Sequence, residues 1–234
     1  MPDPKAVRSM FARISGRYDL LNRTLSMGID QRWRRRTLRA AGDVRGKRVA
    51  DVCCGTGDLA IAFEKAGARV VGVDFTPEML HRALPKRAPA PEGTLFVHGD
   101  AMRLPMADSS VDVASVAFGI RNVADRVGGM AEMARVLRPG GRLLVLEFTT
   151  PRRGPIAWAY RFYFTKVLPW IGRRVSGDGD AYDYLPRTVL AWPRPEELQQ
   201  EMEGLGLEDC GHKVLTFGIA CLHWGHAPSP EGRP

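Results

Sequence analysis

Cysteine is scarce in this chain of 234 residues: there are four, two of them adjacent at Cys53 and Cys54, and no C-x-x-C spacing occurs. That excludes a disulfide scaffold and fits a reducing compartment. The five histidines do not sit at metal-ligand spacings, so no structural metal site is expected. No window reaches the ~18 uninterrupted apolar residues of a membrane-spanning helix. The nearest, residues 156–171, is broken by Arg161 and Lys166. The opening Met1-Pro2-Asp3-Pro4 lacks the basic and apolar regions of an export signal, so a cytoplasmic location is expected. Lysine is also sparse, six against 28 arginines, which places the net charge of +8 almost wholly on guanidinium groups. A hydrophobic fraction of 44% with 26% charged residues excludes a disordered chain, a collagen-like chain and a coiled coil.

What is present is an alternation. Residues 5–41 read as helical, with Val7, Met10, Phe11, Ile14, Tyr18 and Leu21 forming an apolar stripe. The cationic run from Arg32 to Arg39 follows, either a solvated helix face or a surface attracted to anions. Strands are then expected at 48–53, 69–74, 95–97, 111–118 and 143–148, and helices from 58, 76 and 127. Pro139-Gly140-Gly141 reads as a turn. This pitch means βαβ units and a parallel sheet, an α/β protein. Residues 151–192 break the pattern and read as an inserted helical cap, rich in aromatic and cationic side chains. A helix from Pro195 and two hairpin strands, 207–214 and 219–226, close the fold. One domain is expected: a helical segment at 1–45, a ligand-binding half at 46–150, the cap at 151–192, the final helix and hairpin at 193–227, and a tail at 228–234.

The segment Asp51-Val52-Cys53-Cys54-Gly55-Thr56-Gly57-Asp58 runs from strand through glycine turn to helix. Its glycines allow a ligand close to the backbone. Asp74 ends the next strand 19 residues after Gly55, where a carboxylate reaches ribose hydroxyls. Gly55-x-Gly57-x-x-Ala60 also matches the dinucleotide fingerprint. Three features favour S-adenosylmethionine over a nicotinamide dinucleotide. Asp51 would repel a pyrophosphate and hold an ammonium group. Gly99-Asp100-Ala101-Met102 follows the third strand, where an acid can accept from an adenine amino group and Met102 can pack on the ring. The chain also ends in a hairpin where a dehydrogenase would add a substrate domain.

Further blocks are more specific: Tyr18-Asp19-Leu20-Leu21-Asn22 continuing to Trp33, Phe118-Gly119-Ile120-Arg121-Asn122, Arg135–Gly141 running to Glu147, Tyr182–Pro186, and Gly218–His223. With these, residues 5–227 resemble the class I S-adenosylmethionine-dependent methyltransferases that C-methylate quinols in ubiquinone and menaquinone biosynthesis. Leu21, Ile120 and Thr149 depart mildly from the pattern, and Asp30 stands where it often has His. The resemblance implies a Rossmann-like seven-stranded sheet, mostly parallel with an antiparallel last strand. It implies methyl transfer to a prenylated quinol, demethylmenaquinol or the matching benzoquinol. By position it carries cofactor contact to Thr56, Asp74, Asp100 and Ala101. With the readings above, the candidate cofactor residues are Asp51, Gly55, Thr56, Gly57, Asp74, Phe75, Asp100, Ala101, Met102 and Ala117.

Methylating an aromatic carbon needs a phenolate, and a fixed cation in a dry site stabilises one. Arg121 is the first candidate for that role, polarising the hydroxyl or a water, with Asn122 orienting the same group. Tyr18 and Tyr182 either donate to quinol oxygens or pack as core. His223 either accepts a proton or is a satisfied core histidine. A polyprenyl tail requires substrate from a bilayer, so peripheral contact with the membrane's inner face is expected through the cap, residues 156–174, assisted by Arg32–Arg39. A homo-oligomer is left open. No nucleic-acid partner is expected, because an N-P-P-Y-type motif is missing after the fourth strand. A different apolar acceptor is the remaining alternative.

Overall fold

The computed structural model describes residues 3–26, 28–89, 93–151, 154–163, 167 and 179–229. One sheet holds β1 (Arg48–Val52), β2 (Arg69–Asp74), β3 (Leu95–His98), β4 (Val111–Ala117), β5 (Leu137–Phe148), β6 (Glu208–Leu215) and β7 (Ala220–His226), in the order β3-β2-β1-β4-β5-β7-β6. The first five strands are parallel. The last, β7, runs antiparallel between β5 and β6.

Helices cover both faces, so the central strands are apolar throughout: Val49, Ala50 and Val52 of β1 are all fully buried. On one face α3 (Ile29–Ala40) and α4 (Asp58–Lys65) pack through Leu59 and Phe63, joined by Ala41 and Val44 just beyond α3. On the other, α6 (Arg126–Arg135) and α9 (Pro195–Gly204) supply Met130, Met133, Leu198 and Met202. Each such side chain contributes roughly 1.5–3 kcal/mol by leaving water. The remaining helices are α1 (Pro4–Ile14), α2 (Tyr18–Leu25), α5 (Pro77–Ala83), α7 (Gly154–Phe162) and α8 (Gly179–Leu190). The expected cap therefore contains α7 and α8; its Phe164, Lys166, Trp170, Arg173 and Arg174 lie outside the described residues.

Strand order reverses between β1 and β4, which opens a crevice at their carboxyl ends. The two chain exits touch there. Cys53 leaves β1 with φ +53°, and a Cβ on Gly119 would lie 2.3 Å from the Cys53 Cβ. Gly57 has φ +82°, and a Cβ there would strike the Phe96 ring at 2.7 Å.

Two sequence expectations need correction. The Pro139–Gly141 segment does not separate helix from strand: β5 already begins at Leu137 and runs through it. Gly140 N–H donates to the Ala227 carbonyl and Ala227 N–H to the Gly141 carbonyl, so the segment, with Gly140 at a turn-like φ of +72°, is kept as a bulge inside the strand. His223 is no proton acceptor at the crevice. It is fully buried on β7 opposite Val145, and its Nε2–H donates to the Pro195 carbonyl at 3.0 Å.

Burial pushes the His223 pKa down to about 4. An unfolded chain binds that proton near pH 6.5, the folded chain only near 4, so the folded state loses ground as pH falls through this window. The loss is on the order of 3 kcal/mol by the two-and-a-half-unit separation. Urea titrations from pH 7 to 4 should show it, and His223→Gln should flatten the profile over that range. A second prediction concerns the strand exits. Gly119→Ala should cost about 1–3 kcal/mol through overpacking. Adding Cys53→Gly, which removes the opposing Cβ, should restore most of that stability; an equally unstable double variant would show that the contact is not the cause.

Candidate active site

The crevice is a cleft of about 850 Å³ of empty space, open mouth included. Its floor is made by Cys53 and Gly55 after β1, by Asp74, Phe75 and Thr76 after β2, and by Ala117, Phe118 and Gly119 at the end of β4. Asp100, Ala101 and Met102 form one side. Pro4, Val7, Arg8 and Phe11 of α1 and Tyr18 of α2 close another. Of the apolar stripe read from the N-terminal sequence, Val7, Phe11 and Tyr18 line this cleft, while Met10 and Ile14 pack into core against Tyr163, Tyr184 and Leu185. Arg8 lies over the Phe75 ring at 5.7 Å, and Phe11 meets Tyr18 edge-on at 6.0 Å.

Asp74 holds the floor together. Its Oδ2 accepts from Gly55 N–H at 2.7 Å and its Oδ1 from Thr76 N–H at 2.8 Å. Burial raises its pKa, opposed by those two backbone donors. Asp100 accepts from Met102 N–H at 2.9 Å and remains exposed. Three predicted cofactor residues stand behind the wall instead. Thr56 donates from its hydroxyl to Asp19 at 2.5 Å, and Lys86 bridges Asp19 and Asp58 at 2.6 and 2.9 Å. That network ties α2 to the glycine turn. Gly57 is pressed against Phe96 and Ala83. Asp51 is buried, accepts from the Ser115 hydroxyl at 2.9 Å, and leaves Oδ2 without a partner among the described residues. Burial pushes its pKa up to about 7, so an approaching cation would favour its ionised form.

These features fit S-adenosylmethionine, which brings an ammonium, a sulfonium and a ribose diol but no phosphate. The acceptors are right for it: Asp74 and Asp100 line the cleft and the half-satisfied Asp51 lies beneath the turn. Among the described residues Arg8 is the only cation that lines the cleft, and it is engaged with Phe75.

The other end of the cleft is built on Phe118, held at φ +61°. Its ring lies 4.5 Å from Phe148 and 5.9 Å from Trp33. Arg121 sits one layer behind Asn122, which itself lines the cleft. The Arg121 guanidinium donates to the Phe118 carbonyl at 2.8 Å and to Glu147 Oε1 at 2.5 Å, and it lies 5.3 Å from the centre of the Phe148 ring. The side chains of this ion pair are 7% and 0% exposed. Burial raises the Glu147 pKa while Arg121 lowers it. Tyr184 of α8 donates to Asn122 Oδ1 at 3.0 Å. The Tyr182 side chain lies outside the described set.

Sequence reasoning missed Glu147 and Tyr184 as site residues. The available signal for Glu147 was a carboxylate ending an otherwise apolar strand. Tyr184 was quoted within a block and given no role. Asp30, assigned no proton role, is indeed buried and occupied, accepting from the Ser26 hydroxyl at 2.8 Å.

Comparisons with known proteins agree with this geometry. The family model described as the ubiE/COQ5 methyltransferase family matches residues 2–227. A demethylmenaquinone methyltransferase of Deinococcus radiodurans is 49% identical, covering 94% of this chain and 92% of its own. One from Thermus thermophilus is 46% identical over 94% of this chain and all of its own. A ubiquinone/menaquinone biosynthesis C-methyltransferase of Geobacter sulfurreducens is 43% identical over 94% and 87%. Among solved structures, magnesium protoporphyrin IX methyltransferase from Synechocystis with bound SAH superposes with a TM-score of 0.67 at 18% identity, covering 96% of this chain and 99% of its own. The chain belongs to the ubiE/COQ5 methyltransferase family and is an S-adenosylmethionine-dependent methyltransferase.

Proposed function

We propose that the protein methylates a ring carbon of a prenylated quinol, demethylmenaquinol as substrate, the step that completes menaquinol. Two of the relatives above carry that activity in their names. The observation in this chain that supports it most is the buried Arg121–Glu147 pair, a fixed cation one layer behind the Phe118 and Asn122 that line this end of the cleft. The benzoquinol of ubiquinone biosynthesis is the second reading, favoured by the Geobacter relative's name.

When bound, S-adenosylmethionine supplies a methyl group already activated on sulfonium. Asp74 and Asp100 hold the cofactor's ribose and adenine ends. Phe118, Asn122 and the cap present the quinol ring. Arg121 carries the electrostatic work: its charge stabilises the oxygen that becomes phenolate, and the phenolate makes the adjacent carbon nucleophilic. A guanidinium is a poor base, so Arg121 polarises rather than abstracts. Glu147 fixes the guanidinium plane and balances its charge. Asn122, oriented by Tyr184, fixes the hydroxyl. As the carbon–methyl bond forms, the methyl–sulfur bond would break and leave a neutral thioether, and the hydroxyl and ring protons would pass to water at the open mouth of the cleft, restoring aromaticity.

The quinol tail places the site of work at a bilayer surface. Among the described residues no helix is long and apolar enough to cross a membrane. In α7, Tyr160 is buried against Val189, whereas Trp158 and Phe162 are 72% and 53% exposed and stacked at 5.9 Å. Such an outward aromatic pair supports peripheral contact.

Purified protein with labelled S-adenosylmethionine and reduced short-tailed acceptors tests the reading. Label in the naphthoquinol is expected; label in the benzoquinol alone would transfer the assignment, and label in neither would remove it. Arg121→Met should lower kcat by about 10²–10³-fold. Breaking the buried pair costs stability, so the Arg121→Met/Glu147→Leu double variant is the control. It should fold and bind S-adenosylhomocysteine within about threefold of the parent, since neither residue lines the cleft, yet remain inactive.

A further inference from the structure

The arginine run is one face of α3. Asp30, Trp33, Arg34 and Thr37 are buried, while Arg32, Arg35, Arg36 and Arg39 are exposed. None of these four forms an ion pair among the described residues. At about 100° per residue they span an arc of roughly 100° on one side of the helix, and Arg36 lies about 60° around from Trp33.

Trp33 connects this face to a second feature. Its Nε1–H donates to Thr216 Oγ1 at 2.8 Å, in the turn between β6 and β7. That turn is tightly held. Ile219 N–H donates to the Thr216 carbonyl at 3.1 Å, Thr149 N–H to the Ile219 carbonyl at 2.9 Å, and the Thr149 hydroxyl to the Gly218 carbonyl at 2.7 Å. Thr216 and Phe217 both sit at positive φ, +45° and +56°. Yet the residue presented by this strained, pinned turn is a phenylalanine, 76% exposed, the most exposed large apolar side chain described. A left-handed non-glycine residue costs about 1 kcal/mol or more, and an exposed ring returns nothing to the fold. Trp33 also touches Phe118 at 5.9 Å, so the turn and the arginine face border the acceptor end of the cleft.

We propose that Phe217 and the α3 arginines form a seat for an anionic phospholipid surface, the ring entering the interface while the guanidinium groups meet the phosphates. The unpaired cations choose the partner's charge. The rigid apolar tip beside them distinguishes a bilayer from a nucleic acid, which offers no apolar layer to enter. The inference rests on the quinol reading only for its purpose, and its test is separable from it.

Flotation with vesicles of phosphatidylcholine and phosphatidylglycerol should retain the protein at low salt. Release is expected at about 0.5 M salt, where screening shortens to a few ångströms. Pure phosphatidylcholine vesicles should retain far less. Phe217→Ser should weaken binding about tenfold. The combined Arg32→Gln, Arg35→Gln, Arg36→Gln and Arg39→Gln variant should weaken it more than a hundredfold, at about fivefold per arginine. Both variants should keep S-adenosylhomocysteine affinity and methylation of a short-tailed quinol in solution, and lose turnover of a long-tailed quinol embedded in vesicles. Equal binding to neutral vesicles, unchanged binding by both variants, or tight binding to duplex RNA with none to vesicles would each overturn the seat. Vesicle binding that follows these variants, with no quinol methylated in any format, would leave the seat standing and remove the quinol assignment instead.

Discussion

The cofactor end of this molecule hangs on the contact between two strand exits, Cys53 leaving β1 and Gly119 leaving β4. They are neighbours because the strand order reverses between them. One exit must carry no side chain where the other carries its Cβ. That closeness sets the cleft floor, aims Gly55 at the Asp74 carboxylate, and leaves Phe118 in the left-handed region with its ring among Trp33 and Phe148. A shift of either exit by an ångström would open the floor and move the acceptor end together.

The two ends of the cleft handle charge in opposite ways. At the cofactor end the acids are unmatched by neighbouring bases: Asp74 is satisfied by backbone N–H groups, and Asp51 by one hydroxyl. A cationic ligand supplies what is missing. At the acceptor end the charges are already matched, Arg121 to Glu147, with both side chains nearly out of water. Desolvation makes such a pair poor value for stability alone. Its use is geometric, because a guanidinium held by a carboxylate, a carbonyl and an aromatic face has one orientation.

Much of this was legible in the sequence because local signals and global fold agreed. The run Val49–Val52, the glycine turn and Asp74 announced a strand, a crevice and an acid on its floor. The failures share a cause, which is that side-chain direction is set by tertiary neighbours. The direction of the Thr56 hydroxyl, for one, was not readable, because Asp19 from α2 accepts from it. His223 was readable as acid–base chemistry or core, and Pro195 from α9 decides for core. Pro139–Gly141 carries every local mark of a turn, yet Ala227, 86 residues after Gly141, holds it in the sheet. Glu147 was invisible as a partner of Arg121 because 26 residues separate them and only the β4–β5 pairing brings them together.

The Thr56–Asp19–Lys86–Asp58 network fastens the N-terminal helices across one side of the cleft, while Phe118 and Asn122 mark the other. The first side is thus held by partly exposed charges and the second by aromatic rings out of water, so added salt loosens the one and leaves the other tight.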